Sequence, residues 1–283
     1  MIVLKNIQQT AQAVSQMDEQ LRCELLFKGG EIQQKKLWEN TFIAKQIERR
    51  SAGGTFTLAD HLRAMVYSML SAGIPWERAE QGIDPTTGRI LPIDEIFGQF
   101  DAEFILRHSP EYLTGEIQKL HCGSQYTLRQ MQALVERNIR KLQEFEANCG
   151  SVDAHYQAYA AQDTTLKTLV RELSASQSKD KLVQMGEALT AEYLKNVGYS
   201  IAKPDRHICR ILGADCLACS DKKTVPSFEA IDIVAAIAAE LQKSAAEVDY
   251  ILWSYCAKGY GAVCTLQSPK CEICVAKKHC RRG

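Results

Sequence analysis

No hydrophobic run in this chain is long enough to cross a bilayer. The longest, Ile233 to Ala239, falls far short of the roughly 20 apolar residues that a spanning helix needs. The start of the sequence does not read as a secretory leader, since Met1-Ile-Val-Leu breaks at once into Lys5, Asn6 and Gln8. Net charge is lacking too: 34 Lys and Arg balance 34 Asp and Glu. That balance counts mildly against nucleic-acid binding, whose affinity is dominated by phosphate contacts. Runs of alternating β-branched residues joined by hairpin turns are missing, as are internal repeats and low-complexity tracts. What remains is a globular chain, 46% hydrophobic and 24% charged, with length enough for one large domain or two ordinary ones. A cytoplasmic location, with no membrane partner, is expected, and in that reducing compartment the 11 cysteines are free for metal or for the core rather than for disulfides.

The pattern present is helical nearly throughout, and the fold class expected is all-α. Leu58 to Leu70 is amphipathic and stops at Gly73 and Pro75. Thr127-x-x-Gln130 reads as a capping box, followed by Leu128, Met131, Leu134, Val135, Ile139, Leu142 and Phe145 at three- and four-residue steps and a stop at Asn148-Cys149-Gly150. A third helix follows Pro226-Ser227 with Ile231, Val234, Ile237 and Leu241, and Ser244-x-x-Glu247 caps a fourth carrying Val248, Ile251, Leu252 and Tyr255. Gly53-Gly54 and Asp84-Pro85-Thr86-Thr87-Gly88 read as loops.

The chemistry concentrates between Cys264 and Cys280. Cys264, Cys271, Cys274 and Cys280 are spaced C-x6-C-x2-C-x5-C. Thiolate is a soft ligand, and four of them select zinc or an iron–sulfur cluster. Structural zinc usually takes two short C-x2-4-C knuckles, and only Cys271-Cys274 forms one, so the uneven spacing favours [4Fe–4S]. Cys216-Leu-Ala-Cys219 could bind metal or form a redox couple, but with no partner pair nearby it reads better as core. From Ala257 to Gly283 six basic residues (Lys258, Lys270, Lys277, Lys278, Arg281, Arg282) face Glu272 alone, +5 on a neutral chain. A solvated charge run explains this, and so does a contact with a DNA backbone.

The cysteine spacing resembles the cluster loop of the endonuclease III branch of the helix-hairpin-helix DNA glycosylases. A second match lies upstream in Asp205-Arg206-His207-Ile208-Cys209-Arg210-Ile211, which is similar to the family segment D-x-H-h-x-R-h (h, apolar) that carries the catalytic aspartate. By itself Asp205 before an apolar-periodic stretch is an ordinary helix N-cap; the family order and distance to the cysteines turn the reading toward catalysis. Leu182-Val183-Gln184-Met185-Gly186-Glu187-Ala188 falls where the family places its hairpin, h-x-G-h-G-x-K. Gly186 matches the second glycine, Gln184 replaces the first, and Ala188 replaces the lysine whose amine forms the Schiff base. A shorter likeness to the 3-methyladenine DNA glycosylase I family runs through Ser71-Ala72-Gly73-Ile74-Pro75-Trp76, Phe100-Asp101, Arg137-Asn138-Ile139-Arg140 and Gly150-Ser151-Val152-Asp153. There the base-reading glutamate is replaced by Ser68, and Trp76 is either a stacking platform for a flipped base or a core residue.

These resemblances imply two all-α lobes: a helical barrel over 55–200 ending in the hairpin, and a cluster lobe of 1–54 plus 201–283, with DNA between them. They imply a monomeric, nucleoid-associated DNA glycosylase without AP lyase activity. Its expected partner is double-stranded DNA with a damaged or modified base. Asp205 activates water; Gln184, Met185, Gly186 and Lys270 contact DNA; Trp76 and Ser68 line the base pocket; the four cysteines hold the cluster. Two readings compete: a non-catalytic DNA-binding module built on hairpin and cluster loop, and a zinc-stapled helical protein without nucleic acid.

Overall fold

A computed structural model of the chain describes residues 6–28, 31–73 and 76–282. Met1 to Lys5, and Ile74 and Pro75 of the upstream motif, lie outside the described residues. The chain divides into two compact units, Met1–Ala44 with Ser200–Gly283, and Lys45–Tyr199. The first crossing comes ten residues earlier than the one expected at 54/55, inside the Phe42–Ser51 helix. The reason is local. Arg50 donates to the Val197 carbonyl (2.8 Å) and pairs with Asp153 (2.6 Å), while Arg49 pairs with Asp60 (3.1 Å), which ties this stretch to the Lys45–Tyr199 unit.

Helix Leu58–Leu70 is the centre of the Lys45–Tyr199 unit, buried at every position from His61 to Leu70. Thr57 starts it with a reciprocal capping box to Asp60, a signal the apolar pattern alone does not show. Against it packs Glu187–Asn196: Ser68 Oγ donates to the Leu189 carbonyl (2.6 Å), and Asn196 Nδ2 donates to the Ala64 carbonyl (3.3 Å). A helix buried on all sides must satisfy its polar side chains inside. Arg63 meets Asp94 (3.1 Å), whose other oxygen accepts from the Tyr67 hydroxyl (2.5 Å). Around this pair stand Pro110–Lys119, Thr127–Ala133, Ile139–Cys149, Val152–Gln162 and Lys167–Ser174. The expected long helix from Thr127 is interrupted by a π-helical turn at Leu134–Asn138. Thr127 is also no cap: it lies inside the helix, and its Oγ1 accepts from Ser124 N (2.8 Å), closing the preceding turn instead. Gly150, at φ 82°, ends Ile139–Cys149 as the left-handed cap expected of it.

The other unit is built from Ile7–Gln20, Arg206–Ile211, Ser227–Leu241 and Ala245–Cys256. Ser244 caps the last of these through Glu247 N (3.1 Å), as its sequence predicts. Strand is confined, among the described residues, to the two-residue pair Phe27–Lys28 and Glu31–Ile32 and an isolated bridge. The all-α class stands. No helix among the described residues is long and apolar enough to cross a membrane.

Candidate nucleic-acid interface and thiol centre

In the Lys45–Tyr199 unit, Leu182–Met185 forms a tight turn closed by Met185 N to the Leu182 carbonyl (3.2 Å). Gln184 takes φ 62°, the left-handed conformation that suits glycine, and Gly186 takes extended backbone (φ −81°, ψ 174°) as the cap of Glu187–Asn196. The conformational demand therefore falls on the position where the family motif has its first glycine and this chain has Gln184. A left-handed side-chain-bearing residue costs roughly 1–2 kcal/mol, so something must hold it. Asn138, fully buried, does so: its Oδ1 accepts from Val183 N (2.8 Å) and its Nδ2 donates to the Val183 carbonyl (2.9 Å). Lys181 adds a bond to the Met185 carbonyl (2.8 Å) and another to that of Ser174. Gln184→Gly is expected to stabilise the protein by about 0.5–1 kcal/mol in urea unfolding; an unchanged midpoint would contradict the left-handed turn. Gln184 and Gly186 are exposed and Met185 is buried, so Met185 anchors the turn from inside rather than presenting its side chain outward.

The two residues expected at a base pocket differ in exposure. Trp76 is half-buried at the start of the short Glu77–Glu80 turn. Ser68 is fully buried and spends its hydroxyl on the Leu189 carbonyl, which makes it a helix-to-helix contact and not a pocket-lining group. Of the motif pieces upstream, Asp101 caps Ala102–Leu106 and Ser151 caps Val152–Gln162.

In the other unit Asp205 is the N-cap of Arg206–Ile211, accepting at one oxygen, Oδ1, from His207 N (2.8 Å) and Ile208 N (3.1 Å). Its second oxygen has no hydrogen bond among the described residues. Asp205 is partly exposed, so the carboxylate is rigidly aimed yet reachable. Burial, acting against the Asp205 charge, holds His207 below its ordinary value and so favours neutral imidazole. One turn on, Arg210 reaches the thiols, donating to Cys264 Sγ (3.3 Å), to the Cys264 carbonyl and to Cys256 Sγ (3.5 Å). The single helix thus couples the placement of Asp205 to the cysteine loop, a role for Arg210 that spacing alone does not disclose.

Cys264, Cys271, Cys274 and Cys280 are all partly buried. The loop carrying them is fastened from several sides: Tyr255 OH accepts from Val275 N (3.1 Å) and donates to Gln20 (2.7 Å), and Gln20 donates to the Ile273 carbonyl (2.9 Å). Cys216 is buried in the core as expected; the neighbouring Cys264 and Cys280 thiols, then burial, push its own thiol up, and its carbonyl accepts from Arg281 N (3.0 Å). Cys219 is core, bonded to Thr10 Oγ1 (3.2 Å). Hydrogen bonds with Cys216 and Cys256, then with Arg210, hold Cys264 far below an ordinary thiol, in the thiolate form that binds metal. Among the described residues no three His, Cys, Asp or Glu side chains are grouped as a single-ion site. All six basic side chains between Lys258 and Arg282 are exposed, Lys270 included.

No family model matches the chain, and no curated protein matches it. Solved structures do. The 8-oxoguanine glycosylase/lyase of Methanocaldococcus jannaschii, crystallised with a 15mer DNA containing 8-oxoguanine, aligns at TM-score 0.51 and 17% identity over 87% of this chain and 96% of its own. The 8-oxoguanine DNA glycosylase of Thermotoga maritima aligns at 0.54 and 17%, over 89% of this chain and 98% of its own. The chain has the fold of these glycosylases. At that identity the likeness concerns architecture, while chemistry has to be argued from the side chains.

Proposed function

We propose that this protein is a DNA N-glycosylase that hydrolyses the bond between deoxyribose and a damaged or modified base. The observation that carries this reading is the fold shared with two glycosylases along nearly the whole of each chain, with Asp205 rigidly capped in the segment that resembles the family's catalytic one. A base inside a duplex is out of reach, so the target nucleotide is flipped, at a cost of about a few kcal/mol that damage or weak pairing lowers. Cleavage builds positive charge on the sugar, by analogy with glycoside hydrolysis. Asp205 offers a fixed negative charge to that sugar and an unbonded oxygen to orient and deprotonate water. The exposed Gln184 turn and the exposed lysines and arginines of residues 257–283 supply phosphate contacts that set register.

The reaction is proposed to stop at hydrolysis. Covalent attack on the sugar needs an amine, and Ala188 has none. The neighbouring lysines are committed elsewhere: Lys195 is buried beside Glu192 (3.0 Å), and Lys181 closes the hairpin turn. Cys264, Cys271, Cys274 and Cys280 are proposed to hold a [4Fe–4S] cluster, which when bound cross-links the basic loop and takes no part in the bond cleavage. The thiolate character of Cys264 and the fastening of the loop fit that group. Protein purified without air is expected to carry about four irons and equivalent sulfide per chain and little zinc; stoichiometric zinc without iron would point to the zinc-stapled alternative.

The decisive test is mass spectrometry of free bases released from a panel of alkylated, oxidised, deaminated and hypermodified DNAs. 8-Oxoguanine belongs in the panel because both structural neighbours are named for it. Release of one base without strand cleavage is the expected result. Intact DNA binding with no release from any DNA would turn the protein into a recognition module.

A further inference from the structure

Three side chains of the Lys45–Tyr199 unit, outside everything assigned so far, form a relay that ends at an exposed thiol. Cys149 closes the Ile139–Cys149 helix and is exposed, unlike the buried cysteines of the core. Its Sγ lies 3.6 Å from Nδ1 of His155, and Nε2 of the same ring lies 3.1 Å from Asp180 Oδ2. Asp180 is buried and also accepts from Tyr159 OH (2.8 Å). Phe145 lies flat against the imidazole, ring centroids 4.0 Å apart and 11° from parallel, which fixes its orientation. With Asp180 accepting from Nε2–H, the lone pair on Nδ1 faces the thiol. That is nucleophile, base and orienting carboxylate in sequence.

We propose that Cys149 is a nucleophilic modification site, activated by His155 and Asp180, that takes small soft electrophiles with a leaving group on saturated carbon. His155 Nδ1 removes the thiol proton; Sγ attacks the carbon; the S–C bond forms as the carbon–leaving-group bond breaks, and the leaving group departs with that electron pair. The imidazolium then returns its proton to water. The titratable groups facing His155 are Cys149, Asp180, Tyr159 and the buried Tyr156, with Glu172 acting on Tyr159 from the helix beside it. Burial, then the bond to Asp180, pushes the Tyr159 phenol up to about 12, so it remains a donor throughout the useful pH range.

The test is iodoacetamide labelling of the full-length protein, read peptide by peptide. Exposed Cys23 serves as internal reference because no imidazole bonds to it among the described residues. At neutral pH Cys149 is expected to label about 3- to 10-fold faster than Cys23. His155→Gln should bring the Cys149 rate down to that of Cys23. Should that variant fail to fold, the wild-type rate ratio decides alone. A Cys149 rate no faster than that of Cys23, or one unchanged by His155→Gln in folded protein, overturns the proposal.

Discussion

Asp205→Asn is expected to slow base release by about 10²–10⁴-fold while leaving the protein folded. The exchange is informative because the two possible roles of Asp205 respond differently to it. As an N-cap, asparagine is about as good as aspartate, and its Oδ1 can keep both backbone bonds, now 2.8 and 3.1 Å. As the group that balances sugar charge and takes a proton from water, it lacks both the charge and the basicity. Single-turnover release from the identified substrate, measured beside the urea midpoint, separates the roles. Unchanged release in Asp205→Asn would leave the cap as the whole function of this residue. Asp205→Ala loses both, with about 1 kcal/mol of stability following the cap.

The largest effect on stability is expected at Asp153→Ala, about 3–5 kcal/mol. Asp153 is buried, bonded by Arg50 at both oxygens (2.6 and 3.3 Å) and by Phe56 N (3.3 Å), with His61 Nε2 at 3.7 Å, too far for a hydrogen bond. His61 itself is fully buried against Tyr193 (2.7 Å), which in turn meets Tyr156 (3.0 Å). Removing the carboxylate leaves the Arg50 guanidinium without its buried counter-charge, which is the costly way to break an ion pair. Acid should do the same by degrees. Burial holds His61 below its ordinary 6.5, so the unfolded chain takes up that proton first; its contribution is complete above that pH and declines as pH falls past it. Burial would raise Asp153, but His61 and Arg50 outweigh it and hold the group below its ordinary 3.8, so this contribution is complete above that value and is lost only as pH falls further. Stability of the wild type should thus fall in two stages on acidification, and Asp153→Ala should shrink the second, to which Asp60 and Asp163, also held below their ordinary values, still contribute. A stability curve flat from pH 7 to 5 would contradict the neutral buried His61.

Much of the fold is legible in the chain because its signals are local. Leu58–Leu70, Ser227–Leu241 and the Ser244-capped helix follow from apolar spacing and caps within a few residues of each other. Gly150 ends its helix for the same reason. Where the reading slipped, a neighbour in space had taken over the residue. Thr127 looks like a cap, but Ser124 claims its oxygen; Ser68 looks like a pocket residue, but it is enclosed between helices and bonded to Leu189. Residues 45–54 go with the Lys45–Tyr199 unit because Arg49 and Arg50 reach partners there.

The sequence by itself determined the all-α class, the four-cysteine loop with its basic surroundings and the placement of Asp205 ahead of a helix. Each is a matter of residue type and spacing along one segment. Only the tertiary structure decided that Asn138 holds Gln184 in a glycine's conformation, that Arg210 spans from the Asp205 helix to Cys264, and that Cys149 stands at the end of a His155–Asp180 relay. Hydrogen bonds and charge act over a few ångströms in space. Asn138 lies 45 positions from Val183 along the chain and Arg210 lies 54 from Cys264, distances at which no periodicity or cap can announce a partner.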